Sequence, residues 1–523
     1  MAANFCINNI QKCLLLVIVF FSSLTNSYRI LGIFPHPGIS HFHFFHPIMR
    51  GLAENGHEVT VVSHFPDKSP PAHYRDLPLT GQKTLVNSVD LKWFENRRFY
   101  NHFLEFFLLY DWGKQACQTA LYSDSIRDVL KFGKQDPYDI IIMEQFNTDC
   151  MMSVAHLLKA PVIALSSCAL MPWHYDRIGN PGIPSYIPSL FLGQSEEMSF
   201  PYRLANWITF HGMKFLYNYY SHHTATELSR KRFDNDIPEI SELVKETSLF
   251  FVNQHYSMGG AKPLSPAVIE LGGIHIQKAK TLEADIQKFL DSAKEGVIYV
   301  SWGSMIRAET LPSEKRDGML RAFGRLKQKV IWKWENETLH NQPKNILIRK
   351  WLPQREILCH PNVKVFMSHG GLMGASEAAY CGVPAVLTPM YGDQFLNSAA
   401  IRQREMGIVL NYEDITESSV YKAINEVLNR RYMDAAKAVS YSFKNRPQKA
   451  LETAIWWVEH VGKTEGAPFT KSVSTFMPWY SYNCLDIYLF FIFMIISSIM
   501  SWIALTRIIC GNRSASVEKA KRN

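Results

Sequence analysis

The chain has 523 residues and a mass of 60.1 kDa, too much for one hydrophobic core, and its 47% hydrophobic residues can fill two or three domains of roughly 150 residues each. With 13% aromatic and 20% charged residues, and nine cysteines spread over the whole length, the composition excludes disorder, low complexity and a disulfide-dense scaffold. The formal charge of +8 owes most of its excess to Lys12 and to Arg507, Arg513, Lys519, Lys521 and Arg522 near the end, so the stretch between them carries no nucleic-acid footprint.

Residues 13–21, CLLLVIVFF, follow Lys12 and precede SSLTNS. This apolar block is too short to span a bilayer and ends in small polar residues, so 1–27 reads as a signal peptide cleaved near Ser27. Five apolar runs then alternate with helical stretches: Arg29–Phe34, Glu58–Ser63, Asp139–Glu144, Pro161–Ser166 and Ser248–Asn253. Strands of this unalternating, Val/Ile-rich kind belong to parallel sheets covered on both faces. The long stretches at about 91–132 and 170–240 exceed what a crossover needs and are expected to wall an apolar pocket. A second series follows the Pro-rich crossing at Lys262–Pro266: Val297–Trp302, Lys329–Trp334, Asn345–Arg349, Val363–Ser368 and Pro384–Pro389. Two doubly wound Rossmann-like halves fit this order, over 28–265 and 266–465. Neither G-x-G-x-x-G after the first strand nor a P-loop is present, which argues against a nicotinamide oxidoreductase and an ATPase.

After a juxtamembrane segment at 466–486, Ile487–Leu505 is free of charge and long enough for one spanning helix, assigned to 487–506. Trp479, Tyr480 and Tyr482 precede it and a basic tail, 507–523, follows, so the positive-inside rule puts the tail in the cytosol and the bulk of the chain in a lumen. The closing Lys519-Ala520-Lys521-Arg522-Asn523 resembles a retrieval signal of the endoplasmic reticulum, which makes a single-pass type I protein of that membrane. Asn336-Glu337-Thr338 is the acceptor sequon on the lumenal side. Cys117, Cys150, Cys168, Cys359, Cys381 and Cys484 form no C-x-x-C pair; buried free thiols are expected for most of them, with no metal site and no redox function.

The chemistry concentrates in residues 351–394, WLPQREILCHPNVKVFMSHGGLMGASEAAYCGVPAVLTPMYGDQ. A buried strand runs into His369-Gly370-Gly371 and a helix follows to Cys381, stopped by Gly382 with Pro384 beyond. Such a turn leaves backbone N–H groups unpaired at the positive end of a helix, where a diphosphate binds without a metal. His369 adds a donor there, Glu377 lies along the helix within reach of ribose hydroxyls, Trp351 offers a flat face for a base, and Asp393 and Gln394 can hold sugar hydroxyls.

This segment resembles the signature of the family-1 UDP-glycosyltransferases of the membrane-anchored animal type, most like the insect branch. Trp351, Pro353, Gln354, His360, His369, Gly371, Glu377, Gly382, Pro384, Pro389, Asp393 and Gln394 stand at the family's spacing. The resemblance implies a GT-B fold, two halves facing a cleft, with an acceptor half first and a UDP-sugar half second. It implies uracil stacking on Trp351, ribose contacts from Gln354 and Glu377, diphosphate contacts from His369, Gly371 and the Ser304 loop, and sugar contacts from Asp393 and Gln394. Met373-Gly374 replace an Asn-Ser pair of plant relatives, so no side-chain phosphate contact is expected there.

Transfer to a hydroxyl needs a base. Of His36, His41, His43 and His46, the family's Ser-His pair matches Ser40-His41, which makes His41 the expected base. Two carboxylates are candidates to orient its imidazole. Counting along the strand end favours Glu144; the family's usual residue type favours Asp149, and the reading leans to Asp149. The implied activity is inverting transfer of a sugar from UDP-glucose, with UDP-glucuronate second, to a small lipophilic acceptor such as a phenol, plant compound, xenobiotic or steroid, without a tightly bound cofactor. The alternative is a membrane-tethered protein that binds UDP-sugar or a lipophile without turnover. Homo-oligomerisation is left open.

Overall fold

A computed structural model describes residues 27–95 and 101–520. The expected signal block lies outside the described residues. The chain divides into a compact body ending at Lys471 and a separate unit from Ser472 onward.

The first sheet of the body has seven parallel strands: β1 (Arg29–Phe34), β2 (Glu58–Ser63), β3 (Tyr74–Pro78), β5 (Ile140–Glu144), β6 (Val162–Ser166), β7 (Thr247–Val252) and β8 (Val268–Glu270), ordered β3-β2-β1-β5-β6-β7-β8. The second has six: β9 (Val297–Ser301), β11 (Lys329–Lys333), β12 (Ile346–Arg349), β13 (Val363–Ser368), β14 (Ala385–Leu387) and β15 (Gly407–Val409), ordered β12-β11-β9-β13-β14-β15. Both are apolar on both faces because helices cover them; Ile140, Ile141 and Ile142 of β5 are fully buried, each such side chain contributing about 1.5–3 kcal/mol. In each sheet the strand order reverses direction at one place, between β1 and β5 and between β9 and β13. At such a switch point the connections leave to opposite sides and open a crevice beyond the strand ends, where open α/β sheets bind their ligands.

Seven helices matter below: α1 (Ile39–Glu54), α2 (Asn101–Leu121), α3 (Gln354–Leu358), α4 (Leu372–Cys381), α5 (Gln394–Gln403), α6 (Ala450–Lys463) and α7 (Leu485–Ala520). Gly382 ends α4 in the left-handed region at φ 69°, the conformation its place after the helix requires.

The two halves are interlaced more than the sequence suggests. The expected boundary at 265 falls short, because β8 pairs with β7 and completes the first sheet. A three-residue edge strand behind a Pro-rich run carries too little pattern to be read. α6, assigned by sequence to the second half, returns to the first: Ala454, Val458 and Val461 join the core of Ile30, Phe45 and Ile48. In the other direction β4 (Val89–Asp90) pairs with β10 (Ile306–Arg307), and Val89 and Leu91 enter the second core.

The expectation of free thiols is corrected at four positions. Cys117 of α2 is bonded to Cys150 beyond β5, and Cys359, one residue past α3, to Cys381 at the end of α4. The partners lie 33 and 22 residues apart, and only the packing of those elements brings them together. Cys168 and Cys484 are free.

In the C-terminal unit, Leu485–Ile509 of α7 is an apolar run of 25 residues with mean hydropathy 2.2, long and apolar enough to cross a membrane. It contains the span expected at 487–506.

Val458 is fully buried. Val458→Asp places an unpaired carboxylate in the first core and is expected to lower stability by about 3–5 kcal/mol, read as a fall in Tm; an unchanged Tm would mean that α6 is not part of that core.

Candidate active site

The first sheet sets a histidine and a carboxylate side by side. β1 and β5 are adjacent, with Gly32 opposite Ile142 and Ile33 opposite Met143, so the turn leaving β1 and the last residue of β5 meet at the switch point. His41, in the first turn of α1, and Glu144, at the end of β5, come together with Nδ1 2.6 Å from Oε1. Ser167, just past β6, places its hydroxyl 2.9 Å from the same nitrogen. Phe146 meets the His41 ring edge-on at 4.7 Å. Burial pushes the His41 imidazole down to about 3, so it is neutral, and pushes Glu144 up to about 7, with His36 pulling against that rise. The contact with Glu144 assigns the proton of the neutral ring to Nδ1 and leaves the Nε2 lone pair free to act as a base.

Asp149, the carboxylate preferred on sequence, is committed elsewhere. Its oxygens accept two hydrogen bonds from the Arg177 guanidinium at 2.8 Å each, one from Tyr217 Oη at 2.9 Å, and contact His222 Nε2 at 3.0 Å. Burial alone would raise its pKa; the Arg177 charge and these hydrogen bonds hold it far below the carboxylate range instead. The structure therefore pairs His41 with Glu144, and Asp149 belongs to a buried ionic cluster. The other histidines of the run, His36, His43 and His46, also line the cleft; His36 is buried with its ring centroid 4.2 Å from that of His41, and His46 pairs with Asp67 at 2.8 Å. Among the described residues no group of three His, Cys, Asp or Glu side chains could hold a metal.

The second sheet supplies the opposite wall from its own switch point. β9 runs into Ser301-Trp302-Gly303-Ser304, and β13 into His369-Gly370-Gly371 and α4. Gly370 adopts φ 83°, and a Cβ on Gly371 would collide with the His369 ring, so the tight turn needs both glycines. Burial lowers His369 to about 4, helped by the nearby Lys333 charge, which makes it a neutral donor. Gln354 Nε2 donates to Glu377 Oε2 at 2.6 Å, and Tyr299 Oη donates to Gln354 Oε1 at 3.1 Å. Burial, with Glu356 adding, lifts Glu377 to about 7 against the Gln354 hydrogen bond. Trp351 lines the cleft and is 55% exposed, with Lys333 Nζ 5.8 Å from its ring centroid.

Asp393 stands just before α5 without a capping bond to the helix amides, its Oδ2 accepting instead from Asn397 Nδ2 at 2.9 Å; burial raises its carboxyl. The Gln394 side-chain carbonyl accepts from the Met390 and Tyr391 backbone amides at 2.9 and 3.3 Å, and its side chain also bonds the Tyr391 phenol.

Both walls enclose one cleft of about 870 Å³, within the size of ligand-binding pockets. His41, Ser304, Trp351, Gln354, His369, Gly371, Glu377, Asp393 and Gln394 all line it, whereas Glu144 stands behind His41 and Asp149 does not reach it. Leu109, Trp112, Phe146, Met171 and Leu190 give the first half's side an apolar surface beside its histidines. The sequence reading missed Ser167, His275, Tyr299 and Lys333, which also line it. Ser167, Tyr299 and Lys333 sit on strands or strand ends next to the switch points, the one signal that pointed to them.

A family model described as UDP-glucoronosyl and UDP-glucosyl transferase matches residues 33–522. The chain belongs to that family. Its relatives include UDP-glycosyltransferase UGT5 of Dactylopius coccus, 35% identical over 93% of each chain, and UDP-glucosyltransferase 2 of the same insect, 34% identical over 97% of this chain and 99% of the relative. UDP-glucuronosyltransferase 1A7 of Mus musculus is 28% identical over 70% of this chain and 68% of its own. Among solved structures, the glycotransferase of kitacinnamycin and the spinosyn forosaminyltransferase SpnP superpose with TM-scores of 0.54 and 0.55, at 15% and 18% identity, each over 83% of this chain and 99% of its own. The fold is GT-B, and the protein is a UDP-glycosyltransferase of glucosyl or glucuronosyl type using a UDP-sugar donor.

Arg177→Met would strand the Asp149 carboxylate without its charge partner. A loss of about 3–5 kcal/mol in stability is expected from such a change, measured as a lowered Tm; an enzyme that keeps its Tm would remove Asp149 from the structural cluster.

Proposed function

We propose that this enzyme transfers glucose from UDP-glucose, with inversion, to a hydroxyl of a small lipophilic acceptor, as a conjugation or detoxification reaction. The observation that carries the reading is the His41–Glu144 pair, set across one cleft from a glycine turn at the start of a helix. His41 Nε2 takes the hydroxyl proton as the acceptor oxygen attacks the anomeric carbon. The bond from that carbon to the β-phosphate oxygen breaks, and UDP leaves with the electron pair against the His369-Gly370-Gly371 turn, whose N–H groups and helix end oppose the growing negative charge. Glu144 holds the imidazole in its productive tautomer and stabilises the cation formed. Trp351 takes the uracil ring, Gln354 and Glu377 the ribose, Ser304, His369 and Gly371 the diphosphate, and Asp393 and Gln394 the sugar hydroxyls.

The insect relative named UDP-glucosyltransferase 2 supports glucose, and the mouse relative keeps UDP-glucuronate as the second candidate. The apolar lining of the first half supports phenols, plant compounds, xenobiotics or steroids as acceptors. The helix at Leu485–Ile509, the aromatic residues before it and the basic tail support a single-pass type I placement in the endoplasmic reticulum membrane, with the body in the lumen.

Full-length enzyme in microsomes, given each UDP-sugar with a panel of phenols and steroids, should turn over with UDP-glucose. His41→Ala should cut kcat by about 10²–10⁴-fold with UDP affinity unchanged. Turnover only with UDP-glucuronate would overturn the sugar assignment, and full activity in the variant would remove the base.

Because Glu144 is raised to about 7, its ionised form, the one that accepts the Nδ1 proton, grows in as pH rises through that value. The expected pH profile of kcat/KM therefore climbs through about 7 and falls on the acid side, with an apparent pKa that belongs to the pair. Glu144→Gln should erase that limb and lower kcat; an unaltered limb would assign it to another group.

A further inference from the structure

The segment joining the two sheets passes along the nucleotide wall of the cleft. After β8 it turns through Ile274 N to Leu271 O at 3.0 Å and Ile276 N to Gly273 O at 2.9 Å, with Gly273 at φ 85°. Ile274 is buried on one side of this turn, and His275 lines the cleft on the other. The His275 side chain is only 5% exposed, yet neither ring nitrogen makes a hydrogen bond. Its polar neighbours on α4 are the Met373 backbone carbonyl, near enough to pull the imidazole pKa upward, and the Glu377 carboxylate, whose Oε1 lies 4.0 Å from Nε2. A buried polar ring that the protein holds in place and leaves unpaired calls for a partner from outside the chain.

We propose that His275 is a donor-binding residue that hydrogen-bonds a ribose hydroxyl of the UDP-sugar jointly with Glu377. The inference rests on the donor reading above and deepens it. The 4.0 Å gap is the base of a triangle whose apex, about 2.8 Å from each atom, suits a hydroxyl oxygen. That hydroxyl donates its proton to the carboxylate and accepts one from the Nε2 N–H, so Nε2 and Oε1 each gain a partner from one ligand atom. Burial lowers the imidazole to about 3, against the pull of the Met373 backbone carbonyl and with His43 adding, so the ring is neutral and carries one N–H. His275 reaches the cleft from the connecting segment, outside the 351–394 signature, so no motif in that signature contains it.

The test is a cycle of protein and ligand changes on the full-length enzyme, with Kd measured for UDP, 2′-deoxy-UDP and 3′-deoxy-UDP. Wild type should lose about tenfold in affinity for one deoxy analogue, a step of about 1.4 kcal/mol. His275→Ala should lose a similar factor for UDP and nothing further for that analogue, and its KM for the donor should rise with kcat largely kept. His275→Leu, which keeps the volume without the polar atoms, should behave alike and guards against collapse of the site. Wild-type UDP affinity in both variants, or an equal extra loss for all three ligands, overturns the assignment. Failure of wild type to bind UDP would instead overturn the donor reading on which it rests.

Discussion

A parallel sheet delivers every strand end to the same edge, and a reversal of strand order opens that edge into a crevice. This chain applies the constraint twice. His41 and Glu144 meet because β1 and β5 are neighbours, and Ser304 and His369 because β9 and β13 are. The apolar strands thus do more than stabilise the body. Their registers decide which loop residues stand together, and the facing crevices share one cleft.

Desolvation gives that cleft its chemical character. It keeps His41, His275 and His369 neutral and draws Glu144 and Glu377 toward about 7. Neutral rings can both donate and accept, which suits hydroxyls and a proton in transit, whereas fixed ion pairs would hold their own partners. The buried Asp149–Arg177 ion pair, by contrast, is held together by two hydrogen bonds and lies outside the cleft.

The strands with unbroken Val/Ile runs were legible within a residue or two of their observed ends, because burial on both faces leaves no alternation to misread. The edge strands β3, β8 and β15 were not: Tyr74–Pro78 is half polar, and Val268–Glu270 and Gly407–Val409 have three residues each. Most of the second half's cleft lining could be read because the 351–394 segment sets its residues at fixed spacing over two strands and the helix starts around them. The Glu144 partnership depends on β1–β5 register, and the competing Asp149 is claimed by Arg177 from a loop 28 residues on, a contact that only folding reveals. The cysteine pairs and His275 were hidden for the same reason, since their neighbours come from distant segments.

The crossing of α6 into the first core and of β4 onto the second sheet bears on how such enzymes can be recombined. A cut at residue 265 looks natural on the sequence, yet it would part β7 from β8 and separate Ala454, Val458 and Val461 from the strands they cover. An exchange of first halves between relatives therefore transplants a surface shaped to receive another protein's closing helix. The stretch at 170–240 is tied in as well, since Arg177, Tyr217 and His222 hold Asp149 while Glu196 reaches Gln403 and Arg404 of the second half, so a trade of halves has to carry its matching partners on both sides of the seam.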